Sequence, residues 1–183
     1  PFVFRTAQLC KVHCLAVVVC LIASPVFSFA DEPLAVSATG QEAMVVSVSQ
    51  PATDVGAAVL RDGGNAVDAA VAVGFTLAVT WPEAGNIGGG GVMMIAPGPN
   101  QSPVCVDYRE TAPAAAKADM FSEGTDYLGH EVVGTPGTVA GFALAHELYG
   151  NLPWKRLVEP AVKLAAEGFA IDAALAEGLN ELL

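Results

Sequence analysis

The chain has 183 residues, of which 53% are hydrophobic and 15% are charged, and its formal net charge at pH 7 is −11. Such a composition is too apolar for a disordered chain, and the length suits one domain with a sizeable core. The acidic balance argues against a nucleic-acid partner, because binding to phosphates depends on clustered Lys and Arg.

The first thirty residues have the order of a secretory signal peptide. Arg5 and Lys11 precede an apolar stretch at residues 14–23, and Ser28-Phe-Ala30 supplies a small-x-small cleavage site. We therefore expect residues 1–30 to be a signal peptide that directs the protein to the periplasm or out of the cell.

Cleavage before Asp31 would leave residues 31–183 as the mature chain, with a net charge of −13 because the signal holds two basic residues and no acidic one. An uncleaved anchor is the alternative, but Pro25 interrupts the short apolar stretch. Three of the four cysteines leave with the signal. Cys105 would then remain alone, which excludes a disulfide within the mature chain.

The first elements of the mature chain are a buried strand and two helices. Met44–Val48 is short, apolar and partly β-branched, which predicts the strand. Val55–Arg61 is predicted as a helix, and a second helix is predicted over Ala66–Thr80, where Asn65 and Asp68 have the spacing of a capping box. This second helix is apolar on every side after its first turn, so we expect it to be enclosed.

A β-hairpin is predicted next. Val92–Ala96 is a continuous apolar run, as in a strand covered on both faces, and Val104–Glu110 alternates between apolar and polar residues. The turn residues Pro97–Asn100 separate the two strands. Four glycines at 88–91 precede the first strand, and we interpret them as strand and packing residues.

Alternation in the second strand places Arg109 on one face with two other residues. That face holds Cys105, Asp107 and Arg109, and the other holds Val104, Val106 and Tyr108. An arginine on rigid backbone offers a planar fork of donors to a carboxylate or phosphate. An internal ion pair with Asp107 or Glu110 is the alternative, and the spacing alone leaves both open. Arg109 could also activate the Cys105 thiol, but a small buried thiol is favoured.

The C-terminal part is helical by its pattern. Thr138–Tyr149 is one predicted helix, and Pro153–Val158 and Pro160–Glu167 are predicted as two separate pieces. Asp172 is expected to cap a last helix that reaches Leu183. No stop signal follows that helix, so we expect the protein to continue beyond it.

No catalytic nucleophile can be named from the residues. His130 and His146 lie in different elements without metal-ligand spacing, so we interpret them as surface or satisfied polar groups and assign no metal. The glycines lack the lysine and hydroxyl of a phosphate-binding loop and lead into a strand, which argues against a nucleotide. No cofactor is assigned. The residues by themselves indicate a secreted α/β domain with one arginine that faces an anionic ligand.

Five motifs occur in order over nearly all of the mature chain. They are GGNAVDAAVA at 63–72, PEAGNIGGGG at 82–91, DYRETAP at 107–113, GTPGTVAG at 134–141 and PAVKLAAEGF at 160–169. Together they closely resemble the γ-glutamyltranspeptidase family. The resemblance implies the four-layer αββα fold of the N-terminal-nucleophile hydrolases, of which residues 31–183 would be the N-terminal portion, within the large subunit.

The resemblance also implies what the chain does and what it lacks. Family members transfer a γ-glutamyl group from glutathione or related amides to water or to an amino-acid or peptide acceptor. Their nucleophile is the threonine at the new N-terminus of a small subunit cut from the same precursor, so no catalytic residue is expected in this chain. Arg109 occupies the position of the arginine that binds the α-carboxylate of the substrate. A cephalosporin acylase of the same fold and a non-catalytic binding module for small anionic amino acids are the alternatives.

Overall fold

The structure, a computed structural model, describes residues 37–121 and 129–181. The predicted signal peptide at residues 1–30 lies outside this range, as do the last two residues of the predicted C-terminal helix. The described residues from Gly40 onward belong to one folded unit. Among the described residues, no helix is both long and apolar enough to cross a membrane.

Two helices open the fold. Helix α1 spans Gln50–Arg61, so it begins five residues earlier than predicted. The reason is that Pro51 lies in the first turn, where its missing N–H costs nothing and its fixed φ suits a helix. Helix α2 spans Ala66–Thr80 as predicted, and its capping box is present.

The predicted hairpin is present, with shorter strands. Strand β1 spans Val92–Ile95 and pairs antiparallel with β2, Val104–Asp107, with Val92 opposite Asp107. The expectation that β1 is covered on both faces is wrong for the described residues, because Val92 and Met94 are exposed while Ile95 is buried. Only the face of β1 that carries Met93 and Ile95 packs against the core of the described residues.

The predicted strand at Met44–Val48 is wrong for the described part of the chain. These residues belong to no strand, and the side chains of Met44, Val46 and Val48 are largely exposed. A strand exists only where a neighbour accepts and donates its backbone hydrogen bonds, and no strand of residues 37–121 or 129–181 lies beside this segment.

Three further helices follow a short 3₁₀ turn at His130–Val132. Helix α3 spans Thr138–Tyr149 and ends at Gly150 as predicted, and α5 spans Ala173–Glu181. The prediction of two pieces around Pro160 is wrong, because α4 runs continuously over Trp154–Glu167. Proline removes one backbone donor, and the packing of the buried side chains Leu157 and Ala161 on either side keeps the helix intact.

The core forms around α2, which packs against α1 and α4. Aromatic rings pack together where α2, α3 and α4 meet. Phe75 of α2 lies edge-on to both Phe142 of α3 and Trp154 of α4. The ring of Tyr108, just after β2, packs on Phe142 in the same way and ties the hairpin to the helices. The enclosure predicted for α2 is incomplete among the described residues, because Ala66 and Ala70 are exposed.

Candidate functional site

The backbone of Arg109 is fixed on both sides by pairing with two different segments. Before it, Tyr108 donates its N–H to the carbonyl of Gly91 at 2.9 Å and accepts one from the Gly91 N–H at 3.4 Å. After it, Thr111 and Thr135 exchange the same two bonds at 3.4 and 2.8 Å. Arg109 therefore lies between the end of the hairpin and the isolated β-bridge of Thr111 with Thr135. The regular strand β2 ends before it.

Two glycines, one before and one after Arg109 in the sequence, lie in close contact with the main chain of Tyr108 and Arg109. A methyl group on Gly90 would lie 2.5 Å from the Tyr108 carbonyl oxygen and 2.9 Å from the Arg109 Cα. A methyl group on Gly137 would overlap the same carbonyl oxygen. Both positions need glycine because main chains meet there without room for a Cβ. The packing interpretation of the glycine run is confirmed at Gly90, whereas Gly88 has open space around it.

The side chain of Arg109 reaches outward from this fixed backbone. It is 69% exposed, and its Nε lies 3.6 Å from Oε2 of Glu110. Asp107 does not pair with the guanidinium; its Oδ1 accepts the backbone N–H of Arg109 at 3.0 Å. Of the two acidic neighbours considered from sequence, Glu110 is thus the one beside the guanidinium, and the pair is a solvent-exposed one.

A cavity of about 390 Å³ opens next to Arg109. Its wall combines the motif residues Arg109 to Pro113 with apolar side chains that include Met120 and Val132. A larger, mainly apolar groove of about 940 Å³ is lined by residues of β1, of α2 and of the segment 42–46. The exposed Val92 and Met94 of β1 and the exposed Ala66 and Ala70 of α2 line this groove.

The other candidate residues show no reactive arrangement. The alternation predicted for β2 is confirmed, but Cys105 lies on its exposed face, so the expectation of a buried thiol is wrong. A ring nitrogen of His146 lies 2.7 Å from the Leu152 carbonyl oxygen, so this histidine is a satisfied polar group as predicted, and His130 is exposed. Within residues 37–121 and 129–181, no three potential metal ligands lie together.

Asp68 has a second role that the sequence pattern did not indicate. Its carboxylate is fully buried and accepts the N–H of Asn65 at 2.9 Å, which is the capping box. It also accepts the N–H of Asn151 at 3.0 Å and that of Leu152 at 3.3 Å. The carboxylate therefore joins the start of α2 to the α3–α4 connection. The sequence feature that could have indicated this role is that Asp68 is the single charged residue of the otherwise apolar helix α2.

Burial also affects one phenol at the site. Tyr108 lies half-buried beneath Gly91 and Gly141, and this burial raises the pKa of its hydroxyl above the ordinary value of 10.0. The ring packs against Gly91 and Gly141, beside the glycines Gly90 and Gly137 that meet the main chain at Tyr108 and Arg109, so Tyr108 acts as a packing residue.

Known proteins match this chain over nearly its whole described length. A sequence profile of the γ-glutamyltranspeptidase family matches residues 52–182. The glutathione hydrolase proenzyme of Escherichia coli is 44% identical over 181 residues, which is 95% of this chain but 31% of that protein. The chain thus spans about a third of the length of this relative.

Solved structures agree with the sequence match. The crystal structure of Helicobacter pylori γ-glutamyltranspeptidase superposes with a TM-score of 0.74 at 41% identity, over 80% of this chain and 44% of that one. Cephalosporin acylase from Bacillus halodurans gives 0.64 at 26% identity, over 80% and 29%. These similarities confirm the predicted αββα N-terminal-nucleophile fold, of which the hairpin and its helices are one part. The chain belongs to the γ-glutamyltranspeptidase family.

Proposed function

We propose that this chain is the N-terminal part of the large subunit of an enzyme that transfers γ-glutamyl groups from glutathione or other γ-glutamyl compounds. Water would be the acceptor in hydrolysis, and an amino acid or peptide in transpeptidation. The observation that carries the proposal is the position of Arg109 in the family motif at 107–113, on a backbone that is paired on both sides.

Arg109 is proposed to bind the α-carboxylate of the γ-glutamyl substrate. Its side chain is 69% exposed, and its Nε lies 3.6 Å from Glu110, so the guanidinium is accessible to a ligand. An exposed ion pair contributes little stability, so Glu110 does not compete strongly with a carboxylate that enters the site. A bidentate pair with the planar fork would fix both the position and the orientation of that carboxylate.

The chemical step is assigned to a threonine outside this chain. Its hydroxyl would attack the γ-carbonyl carbon, the amide C–N bond would break, and the amine would leave with the hydroxyl proton. Water or an acceptor amine would then break the resulting ester and free the threonine. Arg109 orients the substrate in this scheme and takes no part in bond exchange.

The partner of this chain is proposed to be the rest of the same precursor, including the small subunit. The E. coli relative is named a proenzyme, and this chain spans 31% of it. The apolar groove beside β1 and the unpaired segment 44–48 support the proposal, because large exposed apolar surfaces mark protein contacts. Added strands would cover the groove and pair with that segment.

Residues 1–30 are proposed to be a cleaved signal peptide, with residues 31–183 following it in the periplasm or outside the cell. The order of basic residues, apolar stretch and small-x-small site supports this proposal. Mass spectrometry of the mature protein purified from its own host tests it. A first residue at Asp31 is expected, and a retained N-terminus would contradict it.

The activity is tested with the full-length gene product and the Arg109→Lys variant. Lysine keeps the charge but loses the bidentate fork, so the KM for a γ-glutamyl anilide should rise by the equivalent of about 2 to 5 kcal/mol if the bound pair is buried. Arg156→Lys is the matched control, because Arg156 is also an exposed arginine with an acidic partner. An unchanged KM for Arg109→Lys would refute the role. Faster hydrolysis of an N-acyl cephalosporin than of the anilide would favour the acylase.

A further inference from the structure

The glycine loop before β1 is anchored by one side chain, that of Asn86. Its Oδ1 accepts the N–H of Gly89 at 2.7 Å and the hydroxyl of Thr138 at 3.2 Å. Its Nδ2 donates to the Ala84 carbonyl at 2.9 Å. Asn86 thus joins the loop to the first residue of α3, and Thr138 itself is buried.

The same two segments form the walls around the Arg109 backbone. The Gly89 carbonyl accepts the N–H of Gly137 at 2.8 Å and that of Thr138 at 3.0 Å, which locks the loop to the start of α3. Gly90 follows Gly89 directly and packs on the Arg109 Cα, while Gly137 packs on the Tyr108 carbonyl. A shift of either segment would therefore move the backbone from which the guanidinium extends.

We propose that Asn86 is a positioning residue for Arg109. It contacts both walls through one oxygen atom, so it reinforces the backbone bonds between them and helps to fix the place of the Arg109 main chain. The inference rests on the proposed function, in which Arg109 binds the substrate carboxylate. Asn86 itself need not touch the substrate, because its effect passes through Gly89 and Gly90 on one side and Thr138 and Gly137 on the other.

The consequence is a selective effect on substrate binding. Removal of the Asn86 oxygen deletes one side-chain bond to each wall, which leaves the Gly89 N–H to water and loosens the loop. The guanidinium would then sample several positions, and binding of a carboxylate by a fixed fork would lose its pre-organisation. The threonine chemistry, which Arg109 does not enter, would keep its rate once substrate is bound.

The test is a double-mutant cycle in the full-length enzyme, with a γ-glutamyl anilide as substrate. Asn86→Ala should raise KM about tenfold with kcat within about twofold, whereas in an Arg109→Ala background it should change KM by less than about twofold. Asn100→Ala is the matched control, since Asn100 is exposed in the turn at the other end of the hairpin, and it should leave KM unchanged.

A second variant covers the case in which Asn86→Ala does not fold. Thr138→Val keeps the buried volume and removes only the hydroxyl bond to Asn86, so a rise in KM of about threefold is expected. The inference would be overturned if Asn86→Ala raised KM equally in wild-type enzyme and in the Arg109→Ala enzyme. It would also be overturned if neither Asn86→Ala nor Thr138→Val raised KM. If Arg109→Ala raises KM but these variants do not, the inference alone fails. If Arg109→Ala leaves KM unchanged, the proposed role of Arg109 fails as well.

Discussion

The buried carboxylate of Asp68 allows a direct test of how the fold is held together. It accepts three backbone N–H groups, those of Asn65, Asn151 and Leu152, and solvent does not reach it. Asp68→Asn preserves the shape, but an amide has one acceptor oxygen and turns an NH₂ group toward donors. One partly buried donor would lose its partner, and the remaining bonds would lose their charge assistance.

The expected loss in the free energy of unfolding is about 3 to 5 kcal/mol, from about 1 to 3 kcal/mol for the orphaned donor and about 1 kcal/mol for each weakened bond. Such a loss is a large part of the 5 to 15 kcal/mol that holds a typical domain together. Urea unfolding of the full-length protein, followed by tryptophan fluorescence, measures the loss of stability. Trp154 reports on the region of Asp68, because its ring contacts that of His146, whose Nε2 lies 3.9 Å from the Asp68 carboxylate.

Asp54→Asn is the control for the same chemical change on an exposed face of α1, and it should alter stability by less than about 0.5 kcal/mol. A loss of less than about 1 kcal/mol for Asp68→Asn would show that the carboxylate does not hold α2 to the α3–α4 connection.

Three other outcomes follow from the structure. Gly90→Ala should lower activity and stability because its methyl group meets the main chain at Tyr108, whereas Gly88→Ala should be neutral; equal effects in thermal melts and assays would contradict this. Burial raises the Tyr108 pKa, so its contribution to stability is complete below about pH 10 and falls as the pH rises further. Tyr108→Phe should reduce that loss in unfolding measurements between pH 8 and 11, and an identical pH dependence would count against it. Residues 31–183 expressed alone should bind a hydrophobic dye through the open groove, and a monomer with a cooperative melt and no dye binding would show this wrong.

Helix ends marked by a capping side chain or a terminal glycine were predictable, because these signals are local. Asn65 and Asp68 mark the start of α2 within four residues of sequence, and Gly150 marks the end of α3. The backbone N–H of Leu175 is bonded to the carboxylate of Asp172, which confirms the predicted cap of α5. Each signal acts on backbone groups one turn away, so no distant part of the fold can change its meaning.

Features that depend on distant neighbours were not predictable in the same way. The composition of Met44–Val48 suits a strand, but a strand also needs a partner, and the described residues provide none. Exposure of Cys105 and of one face of β1 has the same origin, since the pattern of a strand does not say what covers it. Continuity of α4 through Pro160 depends on packing that propensity does not include.

At the candidate site, too, the features with local signals were predicted and those that depend on distant residues were not. Alternation in β2 predicted the faces correctly, and the motif at 107–113 singled out Arg109. The bridge from Thr111 to Thr135, the contact of Gly137 with Tyr108 and the bond between Asn86 and Thr138 join residues more than twenty positions apart. Such links appear only once the chain has folded, so the strand pattern predicted a rigid backbone at Arg109 but not the distant segments that fix it.

The most direct test of the central claim removes the carboxylate from the substrate as well as the arginine from the enzyme. The full-length enzyme and its Arg109→Ala variant would be assayed with γ-glutamyl anilide and with 4-aminobutyryl anilide, which lacks the α-carboxylate. Glutaryl anilide, which keeps that carboxylate and lacks only the amino group, is the control. Wild-type enzyme is expected to prefer the substrates with a carboxylate, and Arg109→Ala is expected to lose this preference. A preference that survives unchanged in the variant would contradict the assignment of Arg109 to the substrate carboxylate.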